Sequence, residues 1–345
     1  MINIANLLRW EWFKLQRRWI PWILLALLLL FSQISVWGSF FSYRSLERTG
    51  GEIPLPSEAG REGPFGPPSE GRGRIPTGAV NDLLAGDFSD LPPDMSPEVI
   101  AGLVAQAQQQ AAQQQAQLQR LYDDFAMPGS IPNALRTAQT FGLILLAILT
   151  ASVIGTEYGL GTLRSVLVRG TGRWPYLAVK FLTLAVTAAV ALLLVLGVTA
   201  LSSLIATALA GSPPGDWASP SWADASVALG KAWFSFIPYL ALTGFMTVLV
   251  RSSAAGMAIG LGYYFAEQIV VQLFSNFFDW FSTVADYLLM QNISAWAGGF
   301  SFGAGGGSGP GTLHSLLVLA VYTVALGTAA FWLFQRRDVA GASGG

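Results

Sequence analysis

Six apolar runs, each about 20 residues or longer, constrain this chain more than any other feature. They lie at roughly 20–42, 134–156, 175–209, 228–250, 253–274 and 312–334. A hydrocarbon core about 30 Å thick is crossed by about 20 helical residues at about 1.5 Å rise each. Lipid offers no hydrogen-bond partners, so a spanning segment must satisfy its own backbone, which a helix does. Of the 345 residues 52% are hydrophobic and 11% charged, far from the roughly 25% charged of an ordinary soluble domain. The sequence therefore describes an all-α, polytopic membrane protein with six transmembrane helices. The first run is too long for the apolar core of a signal peptide and no small-residue cleavage site follows it, so it is expected to remain as an anchor.

With no Cys and one His, disulfides and most metal sites are excluded, and no metal site is expected. A net charge of -1 gives no sign of nucleic-acid binding. Orientation follows from the enrichment of Lys and Arg in cytoplasmic segments. An even number of spans puts both termini on one side, and that side holds Arg9, Lys14, Arg17, Arg18, Arg164, Arg169, Arg173, Lys180, Arg251, Arg336 and Arg337 against Glu11, Glu157 and Asp338. Both termini, the link 157–174 and the tail 335–345 are thus expected in the cytoplasm, with the chain in a plasma or inner cell membrane. Segments 43–133, 210–227 and 275–311 then face outward.

The outward insertion 43–133 has two characters. Up to residue 93 it is rich in Pro and Gly and too poor in apolar residues to build a core. From Ser96, "SPEVIAGLVAQAQQQAAQQQAQLQRLYDDF" opens with a capping Ser, a Pro at the first helical position and an early Glu, predicting a Gln/Ala-rich helix over 96–126. Ile100, Val104, Ala107, Ala111, Gln114, Leu118, Leu121 and Phe125 form a coiled-coil-like seam, weak in its middle. Packing on its own domain, or solvation, is favoured over contact with a partner.

Residues 1–19 predict an interfacial helix. At 100° per residue Ile4, Leu7, Leu8, Trp12, Leu15 and Trp19 share a face, with Arg9, Gln16 and Arg17 on the flank or opposite. Glu11 falls inside the apolar arc, where an unpaired carboxylate is costly, so it is expected to pair with Lys14 or with a base on another helix.

The cytoplasmic link contains "GTEYGLGTLRSVLVRGTGRW" (155–174), which is too patterned for a plain connection. Thr162 to Val168 can form two helical turns with Leu163, Val166 and Leu167 on one side and Arg164 away from them, bounded by Gly159, Gly161, Gly170 and Gly172. Topology alone accounts for part of the basic cluster Arg169, Arg173 and Lys180, but not for Glu157 or the paired glycines.

Here a resemblance appears. Glu157, Gly161, Thr162, Arg164, Leu167, Arg173 and Lys180 resemble the E-x-x-x-G-T-x-R-x-x-L and following basic pattern of ABC-2 type ABC transporter permeases. The opening "LLRWEWFKLQRRWIPWILL", with Glu11 and Lys14, and the closing "FQRRDV" are similar to the ends of that family. The resemblance covers most of the chain apart from 43–133, which is longer than in many members. It implies a permease subunit, in most cases an exporter, whose first cytoplasmic loop is a coupling helix seated on a separate ATP-binding subunit. Glu157, Gly161, Thr162, Arg164, Leu167, Arg169 and Arg173 would be its ATPase-coupling residues. Six spans make half of a pathway, so a second copy or a related permease is expected as partner. The chain has no G-x-x-x-x-G-K-[ST] stretch, so no cofactor is expected on it, and ATP and Mg would sit on the partner ATPase. The chain itself is not expected to be an enzyme. A channel, scaffold or scramblase that uses no ATP is the alternative.

Glu267 and Gln268 are the main polar interruption of the spans, Glu267 roughly 21 Å along its helix from Ser253. An ionised acid at that depth is costly unless paired or wet, which leaves a pathway-lining role and a structural hydrogen bond both open. The segment "SNFFDWFSTVADYLLMQNISAW" carries Asp279 and Asp286 and predicts outer-face helices or a re-entrant hairpin, not a seventh span. A serine-protease reading of Ser308 and His314 lacks the neighbouring-helix context that chemistry needs, and His314 is read as an interfacial residue at the start of span six.

Overall fold

The computed structural model describes residues 4–48, 97–159, 172–211, 222–275, 277–278, 280–297 and 310–336. Gly161, Thr162, Arg164, Leu167 and Arg169 lie outside the described residues, as do Asp279, Ser308 and the Pro/Gly-rich half of the insertion. In chain order the helices are α1 (Ile4–Gln16), α2 (Trp19–Arg48), α3 (Pro97–Phe125), α4 (Ser130–Gly159), α5 (Arg173–Ala210), α6 (Trp222–Val250), α7 (Ser253–Ser275), α8 (Phe281–Ala285), α9 (Leu289–Ala297) and α10 (Thr312–Arg336). Among the described residues there is no strand. Six helices, α2, α4, α5, α6, α7 and α10, are long and apolar enough to cross a bilayer. Several outrun their apolar cores: α2 continues past residue 42 to Arg48, and α4 starts at Ser130. A helix ends where its backbone is capped or turned, not where apolarity stops.

The centre of the bundle is α4, which packs on α2, α5, α6 and α7. Of its most apolar window 72% is buried, against 11% for α10 and 17% for α2. Its sequence explains the position: Ala134, Ala138, Gly142, Ala147, Ala151 and Gly155 are buried small residues, which let neighbouring backbones come close where lipid supplies no hydrophobic drive. A Cβ on Gly142 would lie 2.8 Å from Cζ of Phe236, and one on Gly155 would lie 2.4 Å from Cα of Ser253. Between α6 and α7, joined by a tight turn at Arg251 (φ 56°), the Tyr239 hydroxyl donates to the Gly260 carbonyl at 2.7 Å.

Where its burial is described, the predicted seam is the less exposed side of α3. Val104, Ala111, Gln114, Leu118 and Leu121 are half-buried and Phe125 is fully buried, while their neighbours on the far side are exposed. At its C-terminal end α3 packs on α2, with Phe125 edge-on to Phe40 (5.6 Å) and Tyr43 (5.5 Å). At that end the helix packs within its own chain.

On α1, Leu7, Glu11 and Leu15 are buried as the helical period predicts, and the helix packs on α5 and α2. Trp19 departs from the predicted face and is 82% exposed. The chain breaks its helix at Arg17 and Arg18, so Trp19 begins α2 and the phase of α1 does not extend to it.

The segment after α7 forms the short helices α8 and α9, neither of spanning length. They pack beside the far ends of α7, α6 and α10.

Candidate functional site

Two buried polar centres occupy opposite ends of the bundle. The first joins α1, α4 and α5. The ammonium of Lys180, whose side chain is 2% exposed, donates to Glu157 Oε1 at 2.8 Å, Glu11 Oε2 at 3.1 Å and the Val153 carbonyl at 3.4 Å. These three acceptors match the three protons of an ammonium. Lys14 Nζ closes the network, 2.8 Å from Glu11 Oε1 and 4.0 Å from Glu157 Oε1. The Tyr176 hydroxyl donates to Glu157 Oε2, and the Lys180 ammonium stands 5.1 Å from the Tyr176 ring centre.

Local sequence sets this geometry. Glu11 and Lys14 are three apart and share a face of α1, as Tyr176 and Lys180, four apart, do on α5. Glu157 lies in the last turn of α4. Two carboxylates and two ammonium groups balance in charge, the condition under which buried ions are tolerated. Burial pushes the Glu11 carboxyl up, but Lys180 and Lys14 outweigh it and hold the group below its ordinary 4.5. Among the described residues no three metal-ligating side chains converge, and the carboxylate oxygens of Glu11 and Glu157 are already taken by Lys14, Lys180 and Tyr176.

Glu157, named apart from the pair Glu11 and Lys14 in the sequence, joins them in one cluster. The pairing predicted for Glu11 exists in both forms, with Lys14 beside it and with a base on another helix. Glu157 and Lys180 flank 160–171, so the cluster clamps the two ends of that link together and fastens α1 to them. Arg173 stands apart from it: its Nη1 donates to the Gln335 carbonyl at 2.7 Å, capping the C-terminus of α10 where a cation complements the helix dipole. Tyr176 was missed in the sequence. Its four-residue spacing from Lys180 was the available signal.

The second centre is Glu267 on α7, buried, with Oε1 accepting from the backbone N–H of Met290 at 2.6 Å and of Gln291 at 3.0 Å. These belong to the first turn of α9, whose N–H groups have no partner within the helix. Through Oε1 the carboxylate therefore acts as a cap for α9. Gln139 of α4 donates to the Ile293 carbonyl at 3.0 Å, and Trp296 Nε1 to the Lys231 carbonyl at 3.1 Å. His314 Nε2 lies 3.0 Å from the Asp286 carbonyl oxygen. Gln268 is buried beside Glu267 on the same helix. Gln139, an amide inside an apolar run, also went unremarked in the sequence.

A bundle of six membrane-long apolar helices, with its ions paired at one end and a capped helical element at the other, defines a multi-pass, all-helical membrane protein. The chain belongs to the DUF2705 family, described as a protein of unknown function, whose model matches residues 117–340 and so more than half of the chain. The match runs from the last turns of α3 through α10; it includes Glu157, Lys180 and Glu267 and leaves out α1 with Glu11 and Lys14. No curated protein and no solved structure matches the chain.

Proposed function

We propose that this protein is the permease subunit of an ATP-driven ABC-2 type transporter, acting in export. In this reading α1 lies in the cytoplasmic interface, the link 160–171 carries a coupling helix, and both termini are cytoplasmic. A separate ATP-binding subunit docks on Leu163, Val166 and Leu167, with Arg164 and Arg169 fixing register. A second copy or a related permease completes the pathway.

The observation that carries the reading is the buried cluster of Glu11, Lys14, Glu157 and Lys180. A loop that serves only to connect spans needs no clamp with three desolvated charges, Glu11, Glu157 and Lys180, at its base, because burying ions costs several kcal/mol each before pairing offsets it, on the order of magnitude known for such groups. A loop that transmits force needs a stiff base, and these residues supply one. Closure of two ATPases on nucleotide would push the coupling helices, and each clamp would pass the displacement to α4, α5 and α1 together.

The test is purification of the chain with its neighbours from the native membrane, followed by ATPase assay in nanodiscs. An ATP-binding subunit should copurify, and Arg164→Glu or Leu167→Asp should abolish coupling between its ATPase and transport while leaving the permease folded. Survival of both assembly and transport in both variants would refute the reading. Recovery of a folded, functional chain with no ATPase would favour a passive channel, scaffold or scramblase.

A further inference from the structure

Between α1, α2, α4, α5 and α6 lies an apolar groove of about 150 Å³ that no side chain among the described residues fills. Its back wall is built from Gly142 and the Phe236 ring pressed against it, its flanks from Leu25 and Leu28 of α2 and Ala191 and Leu194 of α5. Two of its few polar groups are already engaged. The Thr187 hydroxyl donates to the Thr183 carbonyl at 2.7 Å, and Trp22 Nε1 donates to the Gln16 carbonyl at 2.8 Å. A cavity of this size lined by Leu and Phe stays dry and accepts hydrocarbon.

The groove also has a direction. Its wall residues Trp22, Val190 and Leu194 are exposed on the flank of the bundle, so it opens sideways to the bilayer and not along the bundle axis. One end is at Gln16 and Trp22, in the break between α1 and α2; along α2 the wall runs from Pro21 to Leu28. That is about 10 Å along a helix, about a third of a hydrocarbon core about 30 Å thick, so the groove fits within one leaflet. At the α1 end the groove is adjoined by the exposed Arg17, its guanidinium stacked 4.5 Å from the Phe13 ring, and by Arg18, which donates to Thr156 Oγ1 at 3.2 Å.

We infer that this groove holds one acyl chain of an anionic glycerophospholipid from the leaflet beside α1, with its headgroup phosphate at Arg17. Hydrocarbon fits the lining, the lateral mouth gives entry from the bilayer, and the cation at the level of the headgroups selects negative charge. Trp12 and Leu15 of α1 form part of the wall, so the chain fills the gap between α1 and the bundle and props the helix that carries Glu11. The inference is independent of the ATPase reading and stands for any activity of the bundle.

The experiment is native mass spectrometry of the full chain, released from nanodiscs of equal phosphatidylglycerol and phosphatidylcholine. One lipid should stay bound per chain through a detergent wash, with phosphatidylglycerol in excess. Leu194→Trp, at the exposed mouth, and Ala191→Trp, deeper in, should each lower the retained lipid roughly tenfold by occupying the space of a few methylenes. Arg17→Glu should remove the preference for phosphatidylglycerol while the Glu11–Lys180 pair keeps α1 in place. A monodisperse Leu194→Trp protein that retains lipid like the unaltered chain would overturn the site. Equal retention of the two lipids by the unaltered chain would overturn the anionic headgroup.

Discussion

Glu157 and Glu267 are both buried acids, yet the protein handles them in opposite ways. Glu157 is met by whole charges, Lys180 and Lys14, and by the Tyr176 hydroxyl, in a cluster shared by three helices. Glu267 is met by two backbone N–H groups of one short helix. The first arrangement binds elements distant in sequence and fails as a unit when one member is lost. The second fixes a single local feature and its loss stays local.

The largest test of that contrast is Lys180→Met, which leaves two carboxylates buried beside each other. It should cost about 3–5 kcal/mol, read as a lower melting temperature in nanodiscs. Adding Glu11→Gln and Glu157→Gln should restore much of the loss, because uncompensated charge is what causes it. Glu267→Ala should cost about 1–3 kcal/mol for two N–H groups left unpaired, with faster hydrogen exchange at Met290 and Gln291 and none at α1. If Glu267→Ala also loosened α1, the two centres would not be independent.

Acid is a gentler probe. Because the Glu11 carboxyl is held below 4.5, its share of stability is fully present above 4.5 and is lost as pH falls through the lowered value. Hydrogen exchange in α1 should therefore rise only below pH 4.5, and Lys14→Met should move that rise to higher pH. The smallest effect expected is from Arg173→Ala, which removes a cation from the C-terminus of α10 and should cost about 0.3–1 kcal/mol in a thermal melt.

The spans were legible because a bilayer imposes one length and one composition on every segment that crosses it. So was the need of Glu11 for a partner, since a carboxylate within an apolar arc has few solutions. The meeting of Glu157 with Lys180 was not, because the two are separated by a link whose path decides whether α4 and α5 bring them together. Periodicity places residues on faces and does not say which faces meet. The cap at Glu267 was hidden for another reason: its partners are backbone groups, which every residue has, so Met290 and Gln291 carry no mark of it. The seam of α3 was readable up to its partner, which is the C-terminal end of α2.

Gly155, two residues before Glu157, brings the backbone of α4 against that of Ser253 at the start of α7. A contact between main chains has no rotamers in which to lose motion, unlike one between long side chains. Any shift of the last turn of α4 must therefore appear at the root of α7, the helix whose far end holds α9 through Glu267. The glycine ties the base of the link to the root of α7, and a larger residue there would push the two helices apart.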